Sequence, residues 1–336
     1  MQMFGEAPGL ECSAPAGRTP YLPYRRVLLS PNRIKELSKL RPSRALADLA
    51  LCWACILAAF WVVSIHPAWW TVLLAVPVIG NRYYAAFIIG HDGMHRRLLP
   101  NIKRNDFWND ALVLAPLGAI TRLNNRNHLA HHLYLGNLND PDRHKHGCFN
   151  KGDRLRLLGF LSGLTSVWNS ATAVFVNKGR AEQKNLSGDG YKFRDFVLLA
   201  CWFVGLAAGL TWFIGWWAYP ALWLFPVYMF MYLGDNLRSF AEHSHPEGDE
   251  MADHHRLITF LSFPLERMLV APMNMNYHTV HHLWPSIPYY NLPIADREIR
   301  SSAEALGLEW RGSYFAYVVR YWNALPIAEC LSHDHY

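Results

Sequence analysis

Three short stretches of the chain concentrate imidazole side chains: HDGMH at 91–95, HLAHH at 128–132 and NYHTVHH at 276–282. They contribute eight histidines, namely His91, His95, His128, His131, His132, His278, His281 and His282. Histidine is the commonest side-chain metal ligand. On a helix, residues i, i+3 and i+4 straddle one face. Each H-x-x-H-H stretch therefore presents three imidazoles along one arc, and His91 and His95 share a face. One zinc takes three protein ligands in a catalytic site and four in a structural one, so eight are too many for it. Two metals, each with an open position, suit the set better. Magnesium and calcium prefer oxygen, which favours a redox metal such as iron. Counting and spacing leave iron, copper and manganese open.

A ninth candidate is His243 in NLRSFAEHSH, which follows a long apolar run by about two helical turns, much as His91 follows another. His245 is two residues on, and a continuing helix would turn it away. The isolated histidines His66, His144, His146, His254, His255, His333 and His335 read as surface or hydrogen-bonded residues. A ligating imidazole usually donates its second N–H to a carboxylate or carbonyl. Asp92, Asp110, Asp235 and Glu242 each adjoin a candidate ligand or a membrane exit, so they are candidates for that role.

The elements that must carry these residues are long apolar runs. Leu49–Ile65 holds no charge, Ala68–Gly90 carries only Asn81 and Arg82 as strongly polar residues, and Phe196–Trp217 and Ala218–Gly234 follow later. A spanning helix needs about 20 mostly apolar residues, so these four predict four transmembrane helices. Two weaker runs, Ala111–Ile120 and Leu155–Val176, predict interfacial or re-entrant helices. The connections at His66–Trp69 and Gly215–Pro220 contain no Lys or Arg, whereas residues 1–44, 91–195 and 235–336 carry eight, sixteen and seven. The positive-inside rule then pairs the runs into two hairpins with both termini and the histidines on the cytoplasmic side. Trp69, Trp70, Trp216 and Trp217 mark the outer interface.

The expected architecture is an all-α integral membrane protein: four spans in two hairpins, interfacial helices, and a cytoplasmic helical cap carrying a di-metal site. Residues 1–44 form a cytoplasmic tail with an amphipathic helix at SPNRIKELSKL, 45–300 the membrane domain, and 301–336 a cytoplasmic C-terminal segment. Composition agrees, since 51% of the 336 residues are hydrophobic and 17% charged, below the roughly 25% of a soluble domain. The net charge of +6 lies on the face where anionic lipid attracts it. No basic stripe with interleaved aromatics stands apart from the membrane runs, which argues against nucleic acid. The C-x-x-C at Cys52–Cys55 lies within an apolar run and reads as two small hydrophobes. Arg82 is an ionisable residue inside a span, which makes it a functional hypothesis, although snorkelling to the interface accounts for it.

With HDGMH, HLAHH and NYHTVHHLWP in that order between paired hairpins, the chain resembles the membrane fatty acid desaturase and hydroxylase superfamily over roughly residues 45–300. The resemblance implies a non-haem di-iron centre (two Fe), O2 as co-substrate and oxidation of an unactivated C–H bond. It carries the ligand role to the eight box histidines and to His243. Some members add an asparagine that reaches a metal through water, and Asn236 is the nearest candidate. His278 stands where front-end desaturases have glutamine, and no haem-binding domain is fused. Electrons are therefore expected from a separate ferredoxin, rubredoxin or cytochrome. The expected reaction is desaturation of a fatty acyl or lipid chain. The alternatives are a hydroxylase or ketolase of a lipid, alkane or terpenoid, and a metal-binding transporter or sensor, which would place polar ligands deep within the spans. The expected location is the inner membrane of a bacterium or the endoplasmic reticulum of a eukaryote.

Overall fold

The computed structural model describes residues 24–135, 140–142, 154–164, 190–244 and 256–325. Two short helices, α1 (Tyr24–Leu28) and α2 (Pro31–Leu37), lead the described chain. Ser30 caps α2 by accepting from the Arg33 N–H at 3.3 Å, with Pro31 at the first helical position where its missing donor costs nothing. The apolar stripe of α2 meets the protein's own core. Leu37 is buried and Ile34 packs against the protein's own core, while Arg33 forks onto Glu298.

Helices α3 (Pro42–Ile65) and α4 (Trp69–Met94) form an antiparallel pair. Thr71 closes the turn between them by donating to the carbonyls of His66 and Ala68. α3 buries a single stripe, Leu49, Cys52, Ile56, Phe60 and Val63, at the three-to-four spacing of a helix face. Leu51, Leu57, Trp61 and Ile65 on its other side are exposed. α4 is buried nearly all round from Ile79 onward, because it passes between α3 and the second half of the protein. At Gly80 a Cβ would stand 2.5 Å from the Pro226 carbonyl oxygen, so this crossing brings two backbones together as only glycine permits. Arg82 donates to Asn81, whose own amide donates to the Met268 carbonyl. Its charge is thus tied to the protein.

After α5 (Ile102–Asn109) the chain makes a π turn at Asp110–Leu114 and a 3-10 turn at Ala115–Leu117. Gly118, at φ 79°, reverses it into α6 (Thr121–Tyr134). These turns stand where the run Ala111–Ile120 predicts one short helix. α7 (Arg154–Leu161) begins the other weak run, most of which lies outside the described residues.

α8 (Phe193–Phe213) is the third long apolar helix and ends four residues before the run that predicts it. Residues 218–243 are then helical without a break, but π geometry occupies Pro220–Leu224 and Val227–Tyr232 before α9 (Leu233–His243). Pro220 and Pro226 each remove a backbone donor from the α-helical ladder there. Among the described residues, three helices, α3, α4 and α8, are long and apolar enough to cross a membrane, where the sequence predicts four.

The remaining described elements are β1 (Ile258–Phe260), α10 (Pro264–Val270), α11 (His278–Leu283), α12 (Leu292–Ala305), β2 (Glu309–Arg311) and α13 (Tyr314–Ala324). β1 and β2 pair in parallel, Ile258 opposite Glu309 and Phe260 opposite Arg311. The chain is thus mostly helical rather than all-α. A parallel pair needs a crossover, and this one contains α10 to α12, so the small sheet brackets the third histidine stretch. Cys52, Cys55 and Cys201 are free thiols, and Cys12, Cys148 and Cys330 lie outside the described residues.

Candidate metal centre

Four elements deliver the nine histidines. His91 lies in the last turn of α4 and His95 caps that helix. α6 carries His128, His131 and His132, α9 ends on His243, and α11 begins at His278 and carries His281 and His282. Each element is aimed by a specific contact. Gly90 and Gly93 let α4 lie against Asn109, where a Cβ on Gly93 would stand 2.4 Å from the amide. Asn109 donates to the Thr121 hydroxyl, and Asp110 accepts from the Thr121 N–H at 2.6 Å, so both fix the start of α6. The amide of Asn125, in α6, donates to the Met94 carbonyl at the end of α4. Ahead of α11, Met273 and Asn274 both adopt positive φ, a left-handed pair that costs energy for non-glycine residues. Asn274 is held there by donating to the Tyr289 carbonyl.

The imidazoles gather into two adjoining groups. His91, His95, His128 and His281 present nitrogens within 4.8 Å of one another, as do His131, His243 and His282. The Nε2 of His132 lies 3.2 Å from that of His128 and 3.1 Å from that of His281, which joins it to the first group. The Nε2 of His278 lies 2.9 Å from that of His243, which joins it to the second. The His132 and His282 rings stack between the groups, with centroids 4.1 Å apart. Each H-x-x-H-H stretch thus serves both groups. Its first and last histidines go one way and its middle one the other, because i+3 and i+4 diverge by about 100° on a helix. This refines the single arc expected from spacing.

In the second group, the second nitrogens of three histidines are tied. His131 Nδ1 lies 3.0 Å from Asp140, His243 Nδ1 lies 2.9 Å from the Arg256 carbonyl, and His278 Nδ1 lies 3.3 Å from Glu242. That arrangement turns each Nε2 inward, as metal-ligating histidines are normally held. His91 Nδ1 and His281 Nδ1, in the other group, are buried with no hydrogen-bond partner. The donor set fits metal ions. Nitrogens at right angles round an ion at about 2.1 Å would stand roughly 3.0 Å apart, and the Nε2 pairs above stand 2.9–3.2 Å apart. Burial, followed by the neighbouring imidazoles, lowers the pKa of His95, His132 and His282 well below the histidine range. The same burial lowers His243, His278 and His281. Neutral imidazole is the form that binds metal.

Around the second group sits a buried ionic network. Arg238 donates to Glu242 at 2.6 Å, to Asp235 at 2.8 Å and to the Tyr84 hydroxyl at 3.3 Å. Burial opposes its charge, but Glu242 and Asp235 hold it protonated. Glu242 also accepts from the Tyr314 hydroxyl at 2.7 Å, and its carboxyl is raised by burial against the pull of Arg238. Asp235 thus reaches the histidines through Arg238. Asp92 accepts from the Tyr289 N–H at 2.7 Å, which ties α4 to the segment after α11 rather than orienting an imidazole. Asn236 turns its amide toward the Phe160 carbonyl, and Ser239, one turn before His243, lines the site. His245 lies outside the described residues. Asp140 and Tyr314 are absent from the sequence-based candidates. Asp140 follows the second stretch closely, but in a loop where no periodicity aims it, and Tyr314 meets Glu242 across 72 residues.

A cavity of about 390 Å³ opens onto both groups, against His91, His128, His131, His243 and His278. Against known proteins, the family model for fatty acid desaturases matches residues 67–314. A dihydrorhizobitoxine desaturase of Bradyrhizobium elkanii is 28% identical over 306 residues, covering 82% of this chain and 81% of that protein. The histidine groups, the long apolar helix α4 that ends at His91 and His95 and the length of this match lead to one conclusion: the chain belongs to the fatty acid desaturase family.

Proposed function

We propose that the protein is a membrane-bound di-iron desaturase that uses dioxygen to remove hydrogen from an unactivated C–H bond of a fatty acyl or lipid chain. The observation that carries this reading is the division of nine histidines into two adjoining groups beside one cavity. His91, His95, His128, His132 and His281 would hold one iron, and His131, His243, His278 and His282 the other. Bound there, the irons would supply oxygen activation and hydrogen abstraction.

The chain's own residues do the rest. Asp140, Glu242 and the Arg256 carbonyl fix the imidazoles. Phe87, Met94, Leu114 and Leu117 wall the cavity with apolar surface against which a carbon chain can lie. Desaturation removes two hydrogens from the substrate while dioxygen goes to two waters. Two further electrons and two protons per turnover must therefore come from outside, from a separate ferredoxin, rubredoxin or cytochrome with its reductase.

The helical run at 218–234 is the fourth span in this reading, its π turns packed against α4. The four spans form two hairpins and place the histidines on the cytoplasmic face, in a bacterial inner membrane or an endoplasmic reticulum. The name of the relative above favours desaturation over oxygen insertion.

The test is expression in a host fed candidate lipids, with iron assayed on the purified protein and products resolved by mass spectrometry. The expected result is two irons per chain and a product lacking two hydrogens. A product that gains one oxygen atom would replace desaturation by hydroxylation, and protein that holds zinc and no iron would overturn the reading.

A further inference from the structure

The helix α10 is built inside out. Its acidic residue, Glu266, is buried at 1% exposure, whereas Leu265 and Met268 are 55% and 42% exposed. Phe263, just ahead of the helix, is 56% exposed, and Arg267 is half-buried. Glu266 faces inward because its Oε1 accepts from the Ser313 hydroxyl and the Phe315 N–H, both at 2.9 Å, at the start of α13. α13 repeats the pattern. Its buried stripe is Tyr314, Tyr317 and Tyr321, and the first two hydroxyls donate to Glu242 and to the Ser244 carbonyl. Phe315 and Val319 are exposed. Five large apolar side chains thus stand outward on two elements joined at Glu266. A helix packed in water buries its apolar stripe and exposes its charges, so this face is not made for water.

The end of α10 is held by α4. A helix leaves its last carbonyls without donors of its own. In α10 the Met268 carbonyl accepts from the Asn81 amide, and the Val270 carbonyl accepts from the Tyr84 hydroxyl at 2.7 Å. The Leu269 carbonyl oxygen lies 3.2 Å from where a Cβ on Gly234 would stand, so α10 also reaches the run at 218–234. Asn81 is twelve residues into α4 from Trp69, about 18 Å at 1.5 Å per residue. A hydrocarbon core is about 30 Å thick. With Trp69 at the outer interface, Asn81 and the Met268 carbonyl lie inside that core, short of its cytoplasmic boundary. Water does not satisfy a carbonyl at such depth, and protein donors must. Asn81, a polar residue in an apolar run, supplies one, while its own oxygen accepts from Arg82.

Resting on the reading of α4 as a membrane span, we propose that α10 and the first turns of α13 are sunk in the cytoplasmic leaflet, where lipid acyl chains cover Phe263, Leu265, Met268, Phe315 and Val319. The patch adjoins α4, whose Leu74 and Val78 are exposed in the same way. Arg320 follows Val319 on the exposed side of α13, and Asn323 is exposed beyond it. That order brings the helix out at the headgroups, where a long basic side chain snorkels and anionic lipid attracts it. The chain beyond residue 235 therefore returns to the membrane at α10 before α11 delivers His278, His281 and His282.

The test reads depth rather than turnover. A fluorescent amino acid replaces Phe263, Met268, Phe315 or Asn323, one at a time, in the full-length protein held in nanodiscs of phosphatidylcholine and phosphatidylglycerol. All four positions are on the surface, so the replacements leave the core packing alone. Leu57, exposed on α3, is labelled as the reference for a span. Two quenchers are compared: a phospholipid with a nitroxide on its acyl chain, and aqueous iodide. Labels at Phe263, Met268 and Phe315 should lose most of their emission to the nitroxide lipid and little to iodide, as the label at Leu57 does. The label at Asn323 should show the reverse. Iodide quenching at any of the three as strong as at Asn323 would overturn the inference, because water would then cover the face. Protection from both quenchers would overturn it too, because protein would then cover the face. Iodide quenching at Leu57 would instead defeat the reading of the long apolar helices as spans, so the two failures are told apart.

Discussion

The Nε2 atoms of His132 and His281 lie 3.1 Å apart although 149 residues separate them in the chain. Both face the first histidine group, so either one removed should release the same ion. His132→Ala and His281→Ala are expected to halve the iron content and to abolish turnover, while the double variant loses no more metal than either single one. Metal analysis beside product analysis checks this. Retained iron at two per chain in both single variants would remove these residues from the ligand set.

The contacts behind the ligands should matter less, but measurably. Glu242→Gln weakens the acceptor beside His278 and leaves Arg238 facing one carboxylate fewer, and Asp140→Asn does the same for His131. Each is expected to lower metal affinity about 10–100-fold. Competition against a chelator of known affinity reads this directly. Tyr314→Phe, which removes one donor to Glu242, should show a smaller effect of the same sign.

Gly93 touches no histidine of α6, yet Gly93→Ala should disturb all three. Its Cβ would meet Asn109, whose amide holds Thr121 at the start of α6. Overpacking of this kind costs about 1–3 kcal/mol. The expected outcome is a lowered unfolding midpoint together with lowered iron content. Asn109→Ala, which removes the clashing amide, should restore part of the midpoint in the double variant.

Burial pushes the Asp110 carboxyl up to about 6 from 3.8, with hydrogen bonds from Thr121 opposing the shift. The folded state therefore holds this proton more tightly than the unfolded chain. The sign follows: its contribution to stability is full below about pH 4 and is lost as pH rises through about 6. Asp110→Asn cannot titrate. In metal-free protein, the midpoint of the wild type should fall relative to that variant between pH 4 and 6 and run parallel to it above. A constant difference across that range would show that the carboxyl titrates alike in both states.

What the sequence made legible follows the range over which each signal acts. The histidine stretches are local: spacings of three and four fix a helical face, so His128, His131 and His132 could be grouped before any fold was known. Their division into two groups could not, since it depends on where α6 meets α11. Asp140 and Tyr314 went unseen for the same reason. Asp92 and Asp110 stand beside ligands or membrane exits in the sequence, but they accept from the backbone N–H groups of Tyr289 and Thr121, a role that only tertiary contact reveals. The apolar runs located α3, α4 and α8, because hydropathy is a property of the segment itself. It says nothing of backbone geometry, so the π turns at Pro220–Leu224 and Val227–Tyr232 and the strand pair were invisible to it.

The interleaving of the two H-x-x-H-H stretches has a consequence for biogenesis. As a ribosome delivers this chain, HDGMH and HLAHH emerge with His131 already turned away from its neighbours, and neither group is complete. The first group waits for His281 and the second for His243, His278 and His282. Both coordination shells close within the same few residues of synthesis, after the apolar helices have been made. An ion retained in the finished protein is therefore a certificate that its two halves have met, and partial products have no complete shell in which to trap iron.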